Sequence, residues 1–138
     1  LVYDCKGYTK GGHFGDMMAS AAKEKGIAGV IIDGSCRDSQ DILALDYPVY
    51  ARAYCPAPTT KLHKGKVNVP VTAGGVTVRP GDLIFADNDG IVVIPFEEED
   101  EVMKKALAKY DKEQHLLEEI HAGKDPLDLF GFREKLAE

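Results

Sequence analysis

Residues 11–38 read GGHFGDMMASAAKEKGIAGVIIDGSCRD, and the fold class turns on how this stretch is divided. MMASAAKEKG places Met17, Met18, Ala21 and Ala22 on one helical face, and Gly26 is a natural helix stop. IAGVII is a continuous apolar run with β-branched residues, the pattern of a strand covered on both faces in a parallel sheet. Upstream, LVYDC is a short apolar strand that ends at the glycine-rich turn. Two strands joined by one helix make a βαβ unit.

Working outward, Asp33-Gly34 is expected to turn the chain. DSQDILAL then forms a second short helix, with Asp38 or Ser39 as its N-cap, and PVYARAY forms the next strand. From Lys66 to Pro95 the character changes. VNVPV, VTV, LIFA and IVVIP are short strands broken by AGG, RPGD and DNDG, which predicts an all-β or barrel-like portion. EEEDEVMKKALAKYDKEQHLLEEIHAG reads as one long helix, acidic where the macrodipole favours negative charge and ended by Gly123. A short tail follows. No repeat or linker splits the chain, so residues 1–138 read as a single α/β domain.

Composition narrows the function. The 138 residues are 44% hydrophobic and 29% charged, an ordinary globular balance. A formal charge of −6 argues against nucleic acid as a partner, because no basic stripe could neutralise phosphates. No apolar run approaches membrane-spanning length. Cys5, Cys36 and Cys55 are odd in number and widely spaced, which suggests neither a disulfide framework nor a zinc site and suits a reducing cytoplasm. His13, His63, His115 and His121 lack a metal-ligand spacing and read as solvated surface residues.

Ligands of such sheets bind outside the carboxyl ends of the strands. GGHFGD and GSCRD both occupy such ends, so Asp16, Arg37 and Asp38 converge if their strands are neighbours. One cation and two carboxylates would suit an anionic substrate together with a hard metal ion or a proton transfer. Gly11, Gly12 and Gly15 permit close backbone approach, and the N–H groups of Met17 and Met18 would point at an anion from a helix N-terminus. A bland reading stands beside this one: Asp16 merely favours its helix start, Asp38 is a cap, and Arg37 pairs with either. The dinucleotide fingerprint fails, because Lys10 stands where its first glycine belongs. DNDG is a hairpin turn and not a calcium loop, since the first and twelfth ligand positions fall on Phe85 and Phe96. Cys36 beside Arg37 is a weak nucleophile candidate, with no histidine base in an obvious place. On the long helix, Val102, Ala106, Tyr110, Leu117 and Ile120 form an apolar stripe that includes Glu113. That acid either pairs with Lys109 one turn back or is presented across an interface.

Together, GGHFGDMMASAAKEKGIAGVIIDGSCRD and VNVPVTAGGVTVRPGDLIFADNDGIVVIP resemble the class II pyruvate aldolases that cleave 4-hydroxy-4-methyl-2-oxoglutarate or 4-carboxy-4-hydroxy-2-oxoadipate, and the related regulators of ribonuclease E activity. Asp, twenty residues, then Arg-Asp is the spacing of the aldolase branch. Regulators carry a glycine at the first of these positions, where this chain has Asp16. The resemblance implies a swivelling β/β/α domain that assembles as a homotrimer or homohexamer. It also implies that N-terminal elements of the family precede the strand at which this sequence begins.

Carried over by position, the resemblance implies that Asp38 contacts Mg2+, or another divalent cation such as Mn2+, largely through water. It makes Arg37 the binder of substrate oxygens and of the enolate formed from them, and Asp16 the holder of a water on the metal. Gly15, Met17 and Met18 would bind the pyruvyl carboxylate through backbone N–H groups, and Glu113 of an adjacent subunit would complete the metal site. The implied activity is carbon–carbon lyase chemistry on small 2-oxo acids, with oxaloacetate decarboxylation through the same enolate. The alternative is a protein-binding regulator that needs no metal. A methyltransferase reading finds no support, since no acidic ribose partner follows the glycine-rich turn.

Overall fold

The computed structural model describes residues 1–60, 62 and 64–136. His63 lies outside them. The chain divides into two compact units, Leu1–Pro95 and Phe96–Glu138.

The first unit is built on a parallel sheet whose spine is β3, Val30–Cys36. β4, Val49–Tyr54, pairs along one edge of β3. The other edge is shared by two short strands: β1, Val2–Tyr3, pairs with Ile31 and Ile32, and β2, Gly12–Phe14, pairs with Ser35 and Cys36. The glycine-rich stretch is therefore not only a turn. Its middle is a strand, and the βαβ unit runs from the interrupted β1–β2 edge through α1, Asp16–Glu24, to β3. The intervening loop stays on the sheet because Gly7 N–H donates to the Asp33 carbonyl at 2.9 Å.

Asp33-Gly34 was expected to turn the chain, but both residues lie inside β3. Gly34 fits there because a side chain would meet Cys5 Cβ at 2.7 Å and the Tyr8 carbonyl at 3.0 Å. The carboxylate of Asp33 is tolerated because one of its oxygens is held by two donors, as described below. The expected face of α1 is also corrected. Ala19 and Ala22 are buried, whereas Met17 is 78% exposed and Met18 half-exposed. Small residues three apart let the helix axis lie close on the sheet, and the methionines fall outside that contact. Ala19 and Ala22 pack with Phe14, Val30, Ile32, Cys36, Ile42 and Tyr47 in the core. Ile42 comes from α2, Ser39–Ala44.

The β-rich portion forms two antiparallel hairpins. One joins β5, Val71–Ala73, to β6, Val76–Val78; the other joins β7, Leu83–Ala86, to β8, Ile91–Ile94. No ladder closes them into a barrel among the described residues. The expected strand VNVPV starts only at Val71, because Asn68 sits in left-handed backbone (φ 54°) and Pro70 has no N–H to give to a ladder. DNDG turns as read: the Asp87 carboxylate accepts from the N–H groups of Asp89 and Gly90.

In the second unit a 3₁₀ turn, Phe96–Glu98, leads into α3, Glu99–His121. Glu99, Asp100 and Glu101 fill its first turn, and Gly123 follows its end at φ 89°. No residue of α3 is buried, so its apolar stripe is exposed or half-exposed along its length. The tail forms α4, Pro126–Leu129, capped by the Asp125 side chain, and α5, Phe132–Leu136. Arg133 ties the two through Asp125 and Asp128. Among the described residues no helix is long and apolar enough to cross a membrane.

Candidate active site

The sheet brings the two predicted loops together. Because β2 and β3 pair in parallel, the residues that leave their carboxyl ends, Gly15-Asp16 and Arg37-Asp38, emerge side by side. Arg37 N–H donates to the Phe14 carbonyl at 2.9 Å, which carries the ladder one residue past the end of β3. Side-chain contacts complete the convergence. Arg37 Nε lies 3.1 Å from Asp38 Oδ2, and both atoms border the Cα of Gly15. Of the pairings left open by the sequence, the structure forms Arg37 with Asp38.

Asp38 occupies the N-cap position of α2, yet its side chain makes no cap hydrogen bond. Its backbone is left-handed, φ 56° and ψ 38°, a conformation that a non-glycine residue adopts at a cost of about 1–2 kcal/mol. The effect is to turn the carboxylate back towards Arg37 and Gly15. Strain of this kind gathers at functional sites. The Asp38 side chain is one-third exposed and that of Arg37 41% exposed, so the pair opens to solvent.

Asp16 begins α1, directly after the extended N-cap residue Gly15. The first intrahelical bond runs from Ala19 N–H to the Gly15 carbonyl. The N–H groups of Met17 and Met18 have no hydrogen-bond partner among the described residues, and the helix places positive partial charge there. A small carboxylate fits such a terminus.

Two neighbouring features were not legible as site components. Residues 55–59 run beside β2, where Gly12 N–H donates to the Ala57 carbonyl at 2.8 Å and Thr59 Oγ1 approaches the Gly12 carbonyl at 3.5 Å. Pro56 and Pro58 were the available signal, since proline pairs favour extended backbone. Ser35, fully buried, donates to the Gly11 carbonyl at 2.6 Å and fixes the glycine pair.

Other expectations fall elsewhere. Cys36 is buried in the core, and burial pushes its thiol above the ordinary range, opposite to what a nucleophile needs. All three cysteines are free. His13 is not a solvated surface residue: its ring stands edge-on to Tyr8, and its Nδ1 is buried without a partner among the described residues. Glu113, on α3, lies 3.5 Å from Lys109, the nearer of its two expected fates. A cleft of about 530 Å³ opens elsewhere in the first unit, lined by Ile31, Asp33, Arg52, Val76, Ile84 and Ile91 and by none of Asp16, Arg37 or Asp38.

Among the described residues no three His, Cys, Asp or Glu side chains are grouped to hold a metal ion. The donors at the site, the carboxylates of Asp38 and Asp16, are hard oxygen ligands. A sparse oxygen set of this kind fits magnesium, which keeps several of its waters and takes only one or two protein carboxylates.

A family profile described as aldolase/RraA, RraA-like, matches residues 1–93. The chain belongs to this family. It is 42% identical over 109 residues to a Halalkalibacterium halodurans protein provisionally named 4-hydroxy-4-methyl-2-oxoglutarate aldolase, covering 79% of this chain and 52% of that one. Among solved structures, an uncharacterized protein from Pseudomonas syringae superposes with a TM-score of 0.84 at 32% identity, over 90% of this chain and 62% of that one. The RNA-processing inhibitor RraA from Thermus thermophilus superposes with a TM-score of 0.65 at 36% identity, over 69% and 58%. The chain thus spans about half the length of the curated relative it matches. The mixed α/β architecture, with parallel strands and a long C-terminal helix, is that of these solved relatives.

Proposed function

We propose that this chain is, or is part of, a carbon–carbon lyase that uses a divalent cation, Mg2+ or Mn2+, to cleave 4-hydroxy-2-oxo acids of the 4-hydroxy-4-methyl-2-oxoglutarate type to pyruvate. Oxaloacetate decarboxylation, which passes through the same enolate, is its second activity. The observation that carries the reading is the Arg37–Asp38 pair beside Gly15 and the open N–H groups of α1, with Asp16 as the first residue of that helix, all at the carboxyl ends of β2 and β3.

The N–H groups of Met17 and Met18 bind the pyruvyl carboxylate, and the helix terminus supplies the attraction. Gly15, with no side chain, leaves room for Arg37 and Asp38 beside that terminus. The guanidinium of Arg37 faces the 2-oxo oxygen, where negative charge grows as the C3–C4 bond breaks, and stabilises that charge more than it stabilises the ground state. Asp38 holds the Arg37 Nε and presents its carboxylate to the cation. Asp16 orients a water that takes the proton of the 4-hydroxyl as the C3–C4 bond breaks and then gives a proton to C3 of the enolate; in oxaloacetate decarboxylation only the second transfer is needed. The cation, when bound, supplies Lewis-acid stabilisation of the same oxygen. Glu113 of a neighbouring subunit completes the site in a homotrimer or homohexamer, and the three free cysteines suit a cytoplasmic setting.

The test is pyruvate release, followed through NADH and lactate dehydrogenase, from 4-hydroxy-4-methyl-2-oxoglutarate and separately from oxaloacetate. It is run with magnesium, with EDTA and with Arg37→Ala. Turnover that needs the metal and is lost with Arg37 supports the lyase. A folded oligomer without turnover favours the second reading, a protein-binding regulator, for which the likeness to the Thermus inhibitor is the favouring observation.

A further inference from the structure

We propose that Gly12, at the start of β2, and Gly15, just past its end, are positioning residues, which form a slot that holds the Arg37 side chain and keeps the Asp38 carboxylate on its Nε. The proposal deepens the lyase reading above and rests on it for its kinetic consequence alone.

The contacts alternate along the arginine. A Cβ at position 12 would lie 2.9 Å from Arg37 Cβ and 3.1 Å from its Cδ. A Cβ at position 15 would lie 3.2 Å from Arg37 Cγ and 3.1 Å from its Nε, and only 2.4 Å from Asp38 Oδ2. Atoms one and three of the stem face one glycine, and atoms two and four face the other. That is the pattern of an extended stem between two walls three residues apart. The stem is thus confined and its Nε is held by Asp38.

Neither glycine is needed for its own backbone. Gly15 is extended, φ −139° and ψ −172°, which any residue adopts, and Gly12 has no positive φ. What the fold uses at both positions is the missing side chain. The two walls differ in one respect. Behind Gly12 stands the Cys55 carbonyl, 2.6 Å from the would-be Cβ, so an alanine there strains backbone. The three atoms nearest a Cβ at position 15 all belong to the side chains of Arg37 and Asp38, so Gly15→Ala perturbs the pair while leaving the scaffold in place.

The experiment compares the wild-type chain with Gly15→Ala, with Arg37→Ala, and with Gly90→Ala as the control, since a Cβ at Gly90 meets nothing within 4 Å. The first readout is the Arg37 Nε–H signal in 15N-labelled protein at mildly acid pH, assigned by its loss in Arg37→Ala. The second is kcat and KM for oxaloacetate with magnesium, beside a urea unfolding curve. We expect Gly15→Ala to fold as wild type, to shift or broaden the Arg37 signal, and to lower kcat about 10²-fold with a much smaller change in KM. Gly90→Ala should change none of these. An unchanged Arg37 signal in Gly15→Ala overturns the slot, and so does a Gly15→Ala that does not fold, which would make Gly15 a packing residue. If wild type releases no pyruvate, the lyase reading falls while the Arg37 signal still decides the slot.

Discussion

The backbone N–H of Gly74 donates to the carboxylate of Asp33 across 2.9 Å, joining the β5–β6 turn to the middle of β3. The same oxygen lies 2.5 Å from Arg52 Nε on β4. One buried acid thus ties a hairpin and two strands together, and its position in mid-strand follows from having these partners.

Acid should release that tie. The Gly74 N–H, aided by Arg52, holds the Asp33 carboxyl below its ordinary value of 3.8 against the opposing effect of burial. A depressed folded-state pKa contributes stability that is present above the unfolded value and is lost as pH falls through the folded one. Urea unfolding measured from neutral to strongly acid pH should therefore show stability falling below about pH 4. Asp33→Asn should be less stable at neutral pH by about 1–3 kcal/mol and should show a shallower acid loss.

Asp38 separates backbone from charge. Asparagine tolerates left-handed backbone, so Asp38→Asn should stay within about 0.5 kcal/mol of wild type in urea while losing the partner of Arg37. Asp38→Ala should lose activity equally and also cost about 1 kcal/mol, because alanine is poorly suited to φ 56°. Pyruvate release beside unfolding curves reads both.

Lysine should not replace Arg37. Its ammonium is a point charge without an Nε to pair with Asp38, so Arg37→Lys should fall about 10²-fold or more in kcat, near the loss of Arg37→Ala. A lysine variant with near-native kcat would show that charge alone suffices.

The buried face of α1 can be tested by volume. Ala19→Leu forces a large side chain against Phe14 and Ile32 and should destabilise by about 1–3 kcal/mol. Met17→Ala, on the exposed side, should stay within about 0.5 kcal/mol. Thermal unfolding of the two decides which face packs.

Local signals account for much of the fold. The apolar run of β3 predicted a covered parallel strand, Gly26 and Gly123 ended their helices, and DNDG turned its hairpin, because each depends on chemistry within a few residues. The errors arise where distant partners override local preference. Asp33-Gly34 carries turn chemistry, yet Arg52 and Gly74 make the acid fit a strand, and Cys5 and Tyr8 leave no room for a side chain at Gly34. The sequence put Met17, Met18, Ala21 and Ala22 on one helical face, but the face that packs is that of Ala19 and Ala22, and the methionines stay exposed.

For the candidate site, residue types and spacing singled out Asp16, Arg37 and Asp38 at two strand ends followed by helix starts, and the structure brings those two loops side by side. Sequence could not choose among the possible ion pairs, nor say that GHF is a strand. Only the pairing of β2 with β3 sets Gly12 and Gly15 against Arg37, and only the left-handed turn at Asp38 brings its carboxylate to Nε. The glycine contacts join residues more than twenty positions apart and are set by the parallel ladder that both strands share, whereas the neighbouring Arg37 and Asp38 meet through the local left-handed turn.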